Sequence, residues 1–297
     1  MKKEEAASRS TFHGLWALTN RELKKWYKVP VLLLMSIIQP ILWMALFGRA
    51  MNIGALFSNP SAITGNFPPE ISQQLSRVLP NIGSQIMEKT FGTSDYFSFM
   101  AVGMLSFIVL FTSMTSGMSI VWDRRLGFLN KVLTTPVARG SIIMSKVFSS
   151  IIRSLVQAAI ILGVALLLGL NLGPEVTIIN ALGVFAALFL LSLGLSAIFL
   201  SIALRSTSWE SQMAVMNLLN LPLLFASNAL FPINSMPDWL KAVASINPIS
   251  YGTDAARQLL LYHPDMSRLM LDYAFLGGFA AIFATVGIIL SWRFLSK

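Results

Sequence analysis

The chain contains no cysteine, which excludes disulfides, zinc–thiolate centres and iron–sulfur clusters. Its two histidines, His13 and His263, leave little for a metal site, and none is expected. Charge is scarce as well. Charged residues make up 12% of the 297, about half the share in a soluble domain. Hydrophobic residues make up 55%, and mean hydropathy is +0.68. So little charge cannot keep a soluble globule of this size wet, so a soluble enzyme is excluded. Disorder is excluded because apolar content is far too high. The dipeptide Gly-Lys never occurs, so there is no P-loop to grip ATP phosphates. H-E-x-x-H and G-x-S-x-G are also missing. The class is an all-α integral membrane protein.

A helix crossing ~30 Å of hydrocarbon needs about 20 mostly apolar residues. Six stretches qualify: 29–48, 96–121, 142–170, 177–204, 213–230 and 269–292. The chain therefore divides into a cytoplasmic N-terminus, 1–28, and a six-span transmembrane domain, 29–297. The first span starts late and lacks a small-residue cleavage site, so a cleaved signal peptide is not expected. With Lys146 and Arg153, at the start of span three, counted with the loop before it, sixteen of the 22 lysines and arginines fall before span one, between spans two and three, between spans four and five, or at the C-terminus. By the positive-inside rule that face is cytoplasmic, and both termini lie there. The rule accounts for the net charge of +9 without nucleic acid as a partner.

Residues 11–28 carry Phe12, Leu15, Trp16, Leu23, Trp26 and Tyr27 with basic residues between them, the pattern of an amphipathic helix in the cytoplasmic interface. The segment 49–95 reads as an outer loop with a short helix near 71–79. The segment 231–268 predicts two short outer helices of re-entrant type, parted by Asn247-Pro248. In the second, Asp254 and Arg257 stand three apart, a spacing that suits a local ion pair. Within the spans carboxylates are nearly missing: Glu210 lies at the inner edge of the fifth and Asp272 near the outer edge of the sixth. An uncharged midplane argues against an ion-coupled carrier, which keeps ionisable groups there. The alternative, a gradient-driven secondary transporter or channel, would need such a group.

In the cytoplasmic loop 122–141, Asp123 suits a helix cap. Leu126, Leu129, Val132 and Leu133 then form one apolar stripe, and Pro136 stops the helix. A short one-sided helix between two spans suits a lever for a partner protein or an interfacial anchor. Span two carries Thr112, Ser113, Thr115, Ser116 and Ser119; Ser113 and Ser116 suit helix packing, a translocation path or a dimer interface. Asn217 and Asn220 share a face of span five and suit the same dimer or cargo contacts. Arg205 and Glu210 bracket the turn between spans four and five and suit an ion pair.

The loop resembles the D-R-E-x-G-x-L-x-x-L-x-x-T-P-x-x-R signature of type-2 ABC transporter membrane subunits, the daunorubicin-resistance-like exporters in particular. Asp123, Arg124, Gly127, Leu129, Leu133, Thr135, Pro136 and Arg139 match, while Arg125 stands where the family usually has Glu. A second run, with Asn247, Pro248, Tyr251, Asp254 and Arg257, resembles the family's N-P-[LIF]-[ST]-Y-x-x-[DE]-x-x-R segment before the last span. The resemblance implies a permease in the cell membrane, exporting a hydrophobic drug or a lipid-like or glycolipid cargo. It also implies a second copy or paralogue of this subunit and a separate ABC ATPase that carries the ATP and Mg, with no cofactor on this chain. The loop from Asp123 to Arg139 would dock on that ATPase.

Overall fold

The computed structural model describes residues 2–48, 68–93, 95–135, 137, 139–174, 176–206 and 208–295. Their regular structure is helical throughout, with no strand among them. Helix α1 is Lys2–Lys28 and α2 is Pro30–Trp43, continued by a π-helical turn at Met44–Gly48. Helix α3 is Pro69–Phe91, α4 Tyr96–Arg125, α5 Phe128–Leu133, α6 Arg139–Leu167 and α7 Ile178–Arg205. Helix α8 is Trp209–Phe225, α9 Asp238–Ala244, α10 Pro248–Leu260 and α11 Met266–Leu295.

Four helices are long and apolar enough to cross a membrane: α4, α6, α7 and α11. A fifth crossing is reached if α1 and α2, bent by 65° at their junction, count as one broken span. Six crossings were expected, and α8 is where the count falls short. Its 17 residues reach about 25 Å, less than the hydrocarbon thickness. The helix stops at Phe225 instead of running to 230 because Asn247 Nδ2 donates to the carbonyls of Leu223 and Ala226, at 2.8 and 2.6 Å. The outer segment also departs from expectation. A continuous 23-residue α3 replaces the short helix near 71–79, capped by Gly92 at φ +68°. Residues 49–67 lie outside the described residues.

Helix α4 is the axis of the bundle, packed by α7 on one side and α6 on another. Small residues permit the approach. A Cβ on Gly103 would stand 2.1 Å from the Ala229 carbonyl oxygen, and one on Gly117 would stand 2.7 Å from that of Phe199. Gly103→Ala is therefore expected to lose about 3 kcal/mol by overpacking. The unfolding midpoint in detergent should fall by several degrees, whereas Gly163→Ala, with open space around it, leaves the midpoint in place.

Helix α1 starts well before residue 11 and lies against α6, burying Thr19 and Glu22. Trp16 and Tyr27 stay largely exposed, Trp16 beside Phe148 and Ile152 of α6. Helix α11 exposes Met270, Leu271, Ile282 and Ile289, as a helix facing lipid would.

Candidate functional site

Two polar constellations hold the two ends of the bundle, and both use residues singled out in the sequence. The first surrounds Asp123. This residue does not cap the loop helix. Helix α4 runs on to Arg125, a left-handed Gly127 (φ +68°) turns the chain, and α5 begins at Phe128. Asp123 is buried in the last turn of α4 because cations from two other helices converge on it. Lys146 Nζ of α6 meets Oδ2 at 2.6 Å, while Lys25 Nζ and Arg21 Nη2 of α1 meet Oδ1 at 2.9 and 3.3 Å. Glu22 joins them, 3.2 Å from Lys146 and 2.9 Å from Arg21. Lys146 and Asp123 are each 3% exposed, so this is a buried pair.

The neighbouring residues extend the tie. Arg124 donates from Nη2 and Nη1 to the carbonyls of Leu204 and Ser206, 3.0 Å each, and so closes the C-terminal end of α7. Trp122 packs on Trp209, the first residue of α8, with ring centroids 4.6 Å apart. The Arg21 guanidinium lies 3.2 Å over the Phe128 ring at the start of α5. Leu129 and Val132 bury their side chains in a small core with Ile142, Val147 and Leu200, and Leu133 packs on it. Leu126, expected in that stripe, is 71% exposed. It follows Arg125 as the C-cap of α4 and does not belong to α5. Thr135 Oγ1 donates to the Val132 carbonyl and ends α5. Pro136 lies outside the described residues; Arg139 opens α6. The outward side of the loop carries Arg125, Asn130, Lys131, Thr134 and Thr135.

The second constellation surrounds Arg257. Its side chain is fully buried, yet the ion pair with Asp254 does not form. Asp254 pairs instead with Arg268, at 2.8 Å. Arg257 spends its donors on backbone carbonyls: Nε and Nη2 on Phe99 at 3.1 and 2.9 Å, Nη2 on Ala229 at 2.8 Å and Nη1 on Asn228 at 2.5 Å. Its guanidinium also stacks 3.3 Å over the Phe99 ring. Burial lowers its pKa to about 10, which leaves it charged at neutral pH. The rest of the motif locks the same junction. Asn247 caps α10, accepting from the Ile249 amide at 3.0 Å, and Pro248 takes the first helical position. Tyr251 stacks on Phe275 and donates its hydroxyl to the Ser245 carbonyl at 2.6 Å.

The serines of α4 divide by face. Ser113 and Ser116 are buried within the chain. The Ser196 hydroxyl meets Ser113 Oγ at 3.1 Å, and Ser116 donates to the Lys146 carbonyl. Thr112, Thr115 and Ser119 border a cavity of about 520 Å³ between α1, α2, α4, α6 and α8. On α8, Asn217 is exposed, and Asn220 Oδ1 is buried without a hydrogen-bond partner. The Arg205–Glu210 turn is organised by Arg124 of α4, and Glu210 is exposed at the head of α8. Among the described residues no group of three His, Asp or Glu side chains converges as a metal site.

The model of the ABC-2 type transporter family matches residues 13–261, a stretch that takes in the Asp123 cluster and reaches through Arg257. The chain belongs to the ABC-2 type transporter family. It is a multi-pass membrane transport permease and not an enzyme, as the two motifs indicated. Among its relatives is the putative transport permease ycf38 of Cyanophora paradoxa, 30% identical over 87% of this chain and 79% of its own. The probable doxorubicin resistance ABC transporter permease DrrC of Mycobacterium tuberculosis is 23% identical over 85% of this chain and 78% of its own. The daunorubicin resistance ABC transporter permease DrrB1 of Streptomyces coeruleorubidus is 23% identical over 65% and 67%.

Sequence reasoning about this permease missed Lys146 and Arg153 as interior residues, counting both among the charges of the cytoplasmic loop. They lie inside α6 instead, so the interior is less free of charge than expected. The signal was present: Lys146, Arg153 and Gln157 are spaced by seven and four, which puts all three on one face of a helix.

Proposed function

We propose that this chain is the membrane-spanning subunit of an ATP-driven exporter, working beside a second copy or a paralogue and a separate ABC ATPase that binds ATP and Mg. The observation that carries this reading is the rigid mounting of α5. Through Asp123, Arg124, Trp122 and Phe128 the short helix is fastened to α1, α6, α7 and α8. A push on it is therefore delivered to most of the bundle at once. A chain without a P-loop, in a transporter family, has a use for such a lever. In this reading α2, α4, α6, α7, α8 completed by the non-helical residues 226–230, and α11 make six crossings, both termini are cytoplasmic, and α9 and α10 dip into the outer leaflet. ATP-driven closure of the ATPases presses on the loop and shifts the two bundles against each other. The cargo is a hydrophobic drug or a lipid-like or glycolipid molecule, which agrees with the drug-resistance names of several relatives.

Arg124 and Gly127 are poor positions for a test, because one caps α7 and the other holds a left-handed turn. Lys131 is better: its side chain is exposed and opposite the core. The tagged chain, purified from its own membranes in mild detergent, should bring down a P-loop protein with ATPase activity. Lys131→Glu should lower that yield at least fivefold with the permease itself present at the normal level. A wild-type chain that comes out alone, and a flux that follows an ion gradient without ATP, would reject the exporter in favour of a gradient-driven carrier.

A further inference from the structure

The 520 Å³ cavity is bordered by a cation that keeps an unpartnered donor among the described residues. Arg153 of α6 borders it. Its Nε donates to the Ser149 carbonyl of its own helix at 3.1 Å, and its Nη2 is buried with no hydrogen-bond partner. The other polar groups on the walls are already engaged. Thr112 donates to Gln157 Oε1, and Gln157 Nε2 donates to Ser36 Oγ. Glu22 and Asp123 are paired with Arg21, Lys25 and Lys146, and the charge of Glu22 also reaches Arg153. Four cations thus stand around two carboxylates, and Arg153 shares Glu22 with the other three. The remaining walls are apolar and aromatic, with Trp26, Met35, Phe111, Met118 and Trp209. A buried guanidinium nitrogen without an acceptor is unfavourable unless something supplies one. The apolar walls ask for an alkyl or aromatic body attached to it.

We propose that this cavity binds an anionic amphiphile, with its phosphate or carboxylate on Arg153 and its apolar part among Trp26, Phe111 and Trp209. The surplus of positive charge disfavours a cationic amphiphile in the same place. Arg is suited to the task because its fork grips two oxygens of one anion. The site belongs to a single chain and binds whether or not an ATPase drives export, so its test is independent of the exporter reading.

The test is equilibrium binding to the purified full chain in a neutral maltoside micelle, with dodecyl phosphate, dodecyl phosphocholine and inorganic phosphate as probes. The wild type should prefer dodecyl phosphate to dodecyl phosphocholine at least tenfold. Arg153→Gln should erase that preference, and Arg153→Lys should keep most of it. Thr115→Phe fills the cavity without touching any charge and should weaken dodecyl phosphate binding at an unchanged melting temperature. A preference that survives Arg153→Gln, or undiminished binding in Thr115→Phe, overturns the proposal. Displacement of dodecyl phosphate by inorganic phosphate at equal concentration overturns the amphiphile and leaves a site for a soluble anion.

Discussion

Arg257→Met should yield a permease that does not hold its fold through detergent extraction. The substitution keeps an unbranched apolar stem but strips four hydrogen bonds from the carbonyls of Phe99, Asn228 and Ala229, all buried. Each orphaned buried acceptor costs about 1–3 kcal/mol, so a total near 5 kcal/mol is expected. That is a large part of a typical domain's stability. Loss of the cation–π stack on Phe99 adds to it. Arg257→Lys restores the charge but offers a point donor where three carbonyls need a fork, so it should recover only a minority of the loss. Size-exclusion profiles and thermal midpoints in one detergent decide the matter. A methionine variant that melts within a degree or two of the wild type would mean that the carbonyls find other donors.

Asp123→Ala should be nearly as damaging, at the other end of the molecule and by a different route. Lys146 would be left buried, 3% exposed, with Glu22 as its remaining anion. Removing one partner of a buried pair costs about 3–5 kcal/mol, and Glu22 keeps this case at the low end. Arg21 and Lys25 lose their anchor on α4 as well, so α1 should separate from the bundle before the rest unfolds. Trypsin should then cut at Arg21, Lys24 or Lys25 at least tenfold faster than in the wild type. The double variant Asp123→Leu with Lys146→Met replaces the pair by apolar groups of similar size. It should regain stability while leaving α1 protease-sensitive, since the charges that hold α1 are still missing. Equal cleavage of wild type and Asp123→Ala would show that α1 is held by its apolar face alone.

The long apolar runs were readable because a span declares itself locally. The stretches expected at 96–121, 142–170, 177–204 and 269–292 all lie within α4, α6, α7 and α11 or overrun them by a few residues. The two motifs were readable as patterns, but what their side chains do was not. Asp254 and Arg257 are neighbours on one helix, and a rule of local spacing pairs them. The fold offers Arg257 three carbonyls on two other segments and Asp254 an arginine on α11, neither of which sequence distance reveals. Asp123 read as a cap for the same reason: its true partners lie 98 and 23 residues away. The early end of α8 depended on Asn247, beyond any window centred on α8 itself. Lys146 and Arg153 were misplaced because a net-charge tally assigns residues to loops before their helix faces are examined.

Helix α4 carries one more implication. Its most apolar 18-residue window is 94% buried inside the chain, although by composition it would suit lipid. The ribosome delivers it early, before α6 and α7 exist, with Gly103 and Gly117 shaped for carbonyls that are still untranslated. The half-made permease therefore holds its future axis in the bilayer, stable as a helix but clad in lipid. That lipid must be stripped away as each later helix arrives. The outer end of this axis is tied only when residue 257 emerges and its guanidinium reaches back to Phe99, and α11 then packs on α7. A chain stalled before that point is inserted but unassembled, which is the state that membrane quality control would be built to detect.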